Sequence, residues 1–159
     1  IAIMRDGLIE QIGTPHEVFA KPANVFVASF IGTPQMNLVE ADYKGFARGK
    51  ARIGFDKQDV NLGVNPAVEG LKPGKVTVGI RPRAFTVVSS NTSDTIDAVA
   101  ELIEPMGAET LIHARTKTGN DIRVVVQRDK RVKLGERLHL VPDPAQTHVF
   151  GNDGKAVRA

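Results

Sequence analysis

The chain has 159 residues, a net charge of +3 and 42% hydrophobic residues, enough apolar material for a packed core and too much for a disordered chain. It has no cysteine, which excludes disulfide frameworks and thiolate metal sites. Its longest apolar run, Val25–Ile31, is far shorter than the roughly 20 residues of a membrane-spanning helix, and no secretory leader pattern opens the chain. Lys and Arg are spread among Asp and Glu, aromatics are 5% and Trp is absent, so the basic balance reads as a solvated mixed-charge surface rather than a nucleic-acid patch.

Ile1-Ala2-Ile3-Met4 reads as the interior of a buried strand, so the chain is expected to be part of a longer polypeptide. Asp6-Gly7 between Ala2–Arg5 and Leu8–Ile12 predicts a hairpin closed by a tight type I′ turn. Thr14, Pro15 and Glu17 form a capping box with proline at the first helical position, and the helix should stop near Lys21, ahead of Pro22. Asn24 caps a second short helix, Val25–Ile31, ended by Gly32. Thr33-Pro34-Gln35 reads as a linker.

From Met36 the apolar period becomes two. Strands are predicted over Asn37–Tyr43, Phe46–Ile53, Val76–Arg81, Phe85–Val88, Asp97–Glu104, Glu109–Lys117, Asp121–Gln127, Arg137–Val141 and His148–Phe150. Turn chemistry separates them at Lys72-Pro73-Gly74, Arg81-Pro82, Thr118-Gly119-Asn120, Leu134-Gly135 and Asp153-Gly154. Many short strands at this spacing indicate an all-β barrel or sandwich. In Glu109–Lys117, Leu111, His113 and Arg115 should share one face and Thr110, Ile112, Ala114 and Thr116 the other.

No enzyme signature is present. Gly45-Phe46-Ala47-Arg48-Gly49-Lys50-Ala51 is the nearest approach to a phosphate-binding loop, but it is one residue short between glycines, and Ala51 offers no hydroxyl for a metal. His16, His113, His139 and His148 lack metal-ligand spacing. Glu101, Glu104 and Glu109 have no cleft specified around them, and no Gly-x-Ser-x-Gly elbow occurs.

The segment Ile1–Leu38, with Met-Arg-Asp-Gly-Leu-Ile-Glu-Gln-Ile-Gly-Thr-Pro followed by Pro22-Ala-Asn-Val-Phe-Val-Ala-Ser-Phe-Ile-Gly32, resembles the end of the nucleotide-binding domain of ABC import ATPases of the maltose and glycerol-3-phosphate type. Val78-Gly79-Ile80-Arg81-Pro82, the run Glu101–Thr110, and Gly135-Glu136-Arg137-Leu138 with Asp143-Pro144-Ala145 and His148-Val149-Phe150 resemble later motifs of that family. Arg83 stands where the family often has Glu, and Gly151 where it has an acidic residue.

The resemblance implies a mainly β protein: an OB-fold-type β-barrel, the transport-associated OB (TOBE) domain, over 37–159, preceded by a hairpin and two short helices, 1–36, from the end of the ATPase domain. It implies a regulatory and dimerisation role that is non-catalytic in isolation. ATP and Mg would belong to the parent protein, and no cofactor or metal is expected in this region. The implied partners are a second copy of the subunit, membrane-spanning transporter subunits reached through the ATPase domain, and a cytoplasmic regulator. The implied place is the cytoplasmic face of a bacterial inner membrane. Candidate dimer or regulatory contacts are Arg81, Pro82, Gly107, Glu109 and His113. Two alternatives stand beside this reading: an OB-fold nucleic-acid module, with Phe46, Phe55 and Phe85 as the stacking candidates, and an oxyanion-binding domain of the molybdate type.

Overall fold

The computed structural model describes residues 1–158. The hairpin forms as predicted: β1 (Ala2–Arg5) pairs antiparallel with β2 (Leu8–Ile12), and Asp6 and Gly7 take φ of 52° and 79° at the turn. Helix α1 (Pro15–Ala20) carries the full capping box, Glu17 N donating to Thr14 Oγ1 at 3.1 Å and Thr14 N to Glu17 Oε2 at 2.8 Å. Helix α2 (Val25–Phe30) starts at Asn24, whose Oδ1 accepts from Val27 N at 2.9 Å. It ends one residue before the sequence boundary, because Ile31 is already extended.

The remainder is two five-stranded antiparallel sheets. One runs β12 (Thr147–Phe150), β6 (Gly74–Ile80), β3 (Asn37–Ala47), β4 (Lys50–Phe55), β5 (Gln58–Gly63). The other runs β10 (Asp121–Gln127), β9 (Glu109–Arg115), β8 (Ile96–Pro105), β11 (Arg137–Pro142), β7 (Phe85–Val88). The OB-type barrel expected from the sequence is corrected here: strand pairing among the described residues gives two open sheets and no closed barrel. Turn position also differs. β3 continues to Ala47, so the turn falls at Arg48-Gly49, and β5 was not foreseen because its turn, Asp56-Lys57 at φ 58° and 61°, contains no glycine.

The inner faces of both sheets build one core. Ile53, Val60, Val78 and Ile80 come from the first sheet, and Ile112, Ile122, Val124, Leu138 and Leu140 from the second. Alternation along β9 and just past it holds in part: Ile112, Ala114 and Thr116 are buried while His113 and Arg115 reach solvent, but Leu111, placed with His113 and Arg115 by the sequence, is buried too. Tyr43 is buried and satisfies its hydroxyl by donating to Val68 O at 2.9 Å. A smaller cluster of Ile3, Val18 and Val27 holds the hairpin to the helices, and Ala28, Met36 and Phe150 hold α2 to β12.

Apolar exposure is uneven. Ile1, Met4, Leu8, Ile9, Ile12, Phe19 and Phe30 are large exposed hydrophobics of the first 36 residues, against Val99, Leu102, Met106 and Leu134 in the rest. Both pairing strands of the hairpin therefore show apolar side chains to solvent. A two-stranded ribbon of that kind is marginal by itself in water.

Candidate functional site

Arg81 follows β6 and caps a short 3-10 turn, Pro82–Ala84, in which proline supplies the fixed φ of the first position. Arginine is ordinarily a surface residue. Here Arg81 is 4% exposed. Its Nη1 donates to Ile31 O at 2.6 Å and Nη2 to Phe19 O at 2.9 Å, and its guanidinium carbon lies 4.0 Å from the centre of the Phe19 ring. Nε is buried without a partner. No carboxylate pairs with it among the described residues, so carbonyl dipoles and an aromatic face hold this charge, and burial lowers its pKa.

Arg83 faces the other way. Its Nε and Nη2 donate to the Glu109 carboxylate at 3.0 and 2.8 Å, a forked pair, and Nη1 donates to Thr33 O at 3.1 Å. The hydrogen bonds from Arg83 hold the Glu109 carboxyl below the usual range. Glu109 opens β9 directly after the β8–β9 turn, where Gly107 has φ 83° and Met106 N donates to Glu109 O at 2.8 Å. The far half of β8, with Leu102, and Met106 in the turn beyond it are exposed and form an arm with the start of β9.

The five sequence candidates thus separate into two groups. Arg81 and Pro82 are buried inside this chain and are taken up by internal contacts rather than offered at its surface. Gly107, Glu109 and His113 lie on the arm. A Cβ on Gly107 would meet nothing within 4 Å, so no close approach within the chain requires this glycine, though its φ does. His113 Nε2 is 3.3 Å from Glu104 Oε2. Arg83 joins the two groups, and sequence reasoning missed it. The departure from the family pattern at that position was the available signal.

Other candidates are dispersed. Gly45–Ala51 straddles the β3–β4 hairpin, with Arg48 and Gly49 as the turn. His139 Nδ1 meets Asp97 Oδ1 at 2.8 Å, and His148 stacks on Phe150. Phe55 and Phe85 are buried in the core and Phe46 packs against it, so none offers an open stacking face. Among the described residues no group of three or more His, Cys, Asp or Glu side chains converges as metal ligands, and no helix is long and apolar enough to cross a membrane.

Comparison with known proteins agrees with this architecture. Residues 78–150 match the family model of the TOBE domain. The chain is 34% identical to the diacetylchitobiose uptake system ATP-binding protein MsiK of Streptomyces coelicolor over 96% of its own length and 44% of that protein. It is 38% identical to the sn-glycerol-3-phosphate import ATP-binding protein UgpC of Bordetella avium, over 90% of this chain and 38% of that one. It is 32% identical to the UgpC of Psychromonas ingrahamii, over 96% and 40%. Among solved structures, the cytoplasmic molybdate-binding protein ModG superposes with a TM-score of 0.58 at 11% identity, covering 71% of this chain and 94% of that one.

Two open antiparallel sheets over one core, with the matched region spanning both, define a TOBE-domain protein. The chain carries a TOBE domain, and nearly its whole length aligns with the C-terminal region of ATP-binding subunits of sugar and glycerol-3-phosphate ABC importers. It spans about two fifths of the length of those relatives.

Proposed function

We propose that this region is the non-catalytic regulatory and dimerisation part of an ATP-binding subunit that drives import of a sugar or sugar-like solute. Residues 1–36 are the tail of the ATPase domain and 37–159 the TOBE unit. The observation that carries the reading is the distribution of exposed apolar side chains. The β1–β2 hairpin exposes Met4, Leu8, Ile9 and Ile12, and the relatives are longer ATP-binding proteins whose further portion would cover them. That portion brings the nucleotide, the Mg and the contact with membrane-spanning subunits, at the cytoplasmic side of a bacterial membrane.

The second exposed region, the β8–β9 arm with Leu102, Met106, Gly107 and His113, is the surface for a second copy of the subunit. A two-fold contact there would use the same patch on both chains. A stable pairing buries about 1,600 Å² in total, more than one hairpin arm supplies alone, so neighbouring strands of the second sheet must join it.

Two measurements on the purified chain test the reading. Sedimentation velocity over a wide concentration range should show a reversible dimer that Leu102→Glu dissociates. An ATP hydrolysis assay should show no turnover above blank. Turnover by the chain alone would overturn the non-catalytic assignment, and a monomer at all concentrations would remove the pairing role.

A further inference from the structure

Arg81 and Arg83 stand on either side of Pro82 and both reach the 31–33 segment, from which Arg83 also extends to the β8–β9 arm. Arg81 holds the helix segment through Phe19 O, Ile31 O and the Phe19 ring. Arg83 holds Thr33 O on one side and the Glu109 carboxylate of the β8–β9 arm on the other. The turn between them is fixed by Ala84 N donating to Arg81 O at 2.9 Å and by Asp143 N donating to Ala84 O at 2.8 Å. The chain leaving α2 is therefore pinned at Ile31 and again at Thr33, the first residue of the segment that the sequence reads as a linker. Gly32 lies between them at φ 108°, and a Cβ there would stand 2.7 Å from Arg81 Nη1. The guanidinium packs directly against the linker backbone, which leaves it little room to flex.

We propose that the Arg81-Pro82-Arg83 turn is a built-in coupler that passes displacement of the α1–α2 segment to the Gly107–Glu109 end of the β8–β9 arm. The two ends of the coupler differ in strength. The Arg81 end is buried, its bonds are not screened, and breaking them strands a charge in the interior. The Arg83–Glu109 end is a partly exposed ion pair, about half of the Arg83 side chain being accessible, so salt screens it and it yields first. Strain arriving from the helices is thus transmitted until the outer pair opens. A rigid joint followed by a breakable one gives the arm two states, attached and released, which is what coupling between separate sites requires.

The coupler lies wholly within this chain, so its test does not depend on the importer reading. Amide hydrogen exchange on the full chain reads both ends. Lys21 and Ile31, which donate to Glu17 O and Val27 O, report on the helices. Met106 and Arg128, which donate to Glu109 O and Ala108 O, report on the arm. Glu109→Gln should speed exchange at Met106 and Arg128 and also at Lys21 and Ile31. Phe19→Ala, at the far end, should speed Met106 and Arg128 as well. Each remote effect should be at least about fivefold, the lower end of ordinary coupling between sites. Leu102→Ser, on the arm but outside the Arg83 contact, should act only locally. High salt should reproduce the Glu109→Gln pattern in the unsubstituted chain and add nothing in the variant. If Phe19→Ala unfolds the helices, Phe19→Leu keeps apolar bulk without the aromatic face and serves instead. Effects confined to the substituted side in both directions would overturn the proposal.

Discussion

Asn37 holds Arg123 as a neighbouring strand would. Asn37 Nδ2 donates to Arg123 O at 2.8 Å and Arg123 N donates to Asn37 Oδ1 at 2.8 Å, so one amide side chain completes a two-bond ladder rung on the edge of β10. The same Nδ2 reaches Ile80 O at 3.2 Å. Asn37 is 7% exposed and joins the first sheet to the second. Asn37→Leu fills similar space but removes the side-chain partner of both the Arg123 N–H and the Arg123 carbonyl. The expected cost is about 2–4 kcal/mol, from an unsatisfied group plus lost bonds. Urea unfolding followed by circular dichroism measures it; a loss below about 0.5 kcal/mol would show that water replaces the amide.

Asp56 makes a second link between the sheets, from the β4–β5 turn to the β9–β10 loop. It sits at the β4–β5 turn, and its carboxylate accepts from Thr116 Oγ1 at 2.8 Å, Lys117 N at 3.0 Å, Thr118 N at 2.8 Å and the Thr118 hydroxyl. Burial pushes its pKa upward, but the Thr118 and Thr116 hydroxyls and the Thr118 and Lys117 amides outweigh burial, and the net shift is downward. A carboxyl with a depressed folded pKa contributes stability above its unfolded pKa and loses it as pH falls through the folded value. Asp56→Asn tolerates the left-handed turn conformation and keeps one acceptor oxygen. The variant should lose about 1–2 kcal/mol at neutral pH and show a flatter stability curve below pH 4. Denaturant titrations at several acid pH values decide this; parallel curves for both proteins would rule out the assignment.

His148 gives a pH dependence in a different window. Its pKa is pushed down to about 4, first by burial and then by the charges of Arg81 and Arg158. Arg158 itself donates to Lys21 O and Pro22 O, at 3.0 and 2.6 Å. Because the folded state resists protonation, the unfolded state binds more protons between its own pKa of about 6.5 and the folded value. This contribution is complete above about pH 6.5 and is lost as pH falls toward 4, with an upper bound of about 3 kcal/mol before solvent screening. His148→Gln should flatten stability across that window. A ring-proton NMR titration with a midpoint near 6.5 would contradict the burial account.

Local chemistry was legible in the sequence and distant pairing was not. The capping box at Thr14 and the cap at Asn24 use atoms within three residues, so the motif is the structure. Alternation through Ile112–Thr116 assigned one buried face because side-chain direction needs no partner, whereas the burial of Leu111 on the other face depends on what packs there. Which strands pair is a different matter: β8 beside β11 and β12 beside β6 bring together segments far apart in the chain, strand spacing left barrel and sandwich both open, and the barrel came from the family resemblance. The fate of Arg81 was hidden for the same reason. Nothing near Arg81 in sequence announces that Phe19, 62 residues away, receives its guanidinium. Of the candidate site, Gly107, Glu109 and His113 were named from turn and motif and lie on one arm, while the contacts of Arg83 with Thr33 and Glu109 required the fold.

Gly79 tests how tightly the helix segment is seated on the first sheet. It lies on β6, paired with Leu38 and His148. A Cβ there would stand 2.6 Å from Met36 Sδ and 2.9 Å from Phe150 Cε2, and those two residues form the small cluster under α2. Replacing a strand glycine by alanine ordinarily gains about 0.5–1 kcal/mol from chain entropy. At this position overpacking costs about 1–3 kcal/mol, and because Phe150 is fully buried the ring has nowhere to move, so the steric term wins. Gly79→Ala should therefore be destabilising. Met36→Ala alone opens a cavity and also destabilises, but in the double variant the new methyl occupies part of that space. The two losses should combine to less than their sum, by about 1 kcal/mol in a double-mutant cycle. Strict additivity in denaturant unfolding would show that Met36 is not the residue that glycine accommodates.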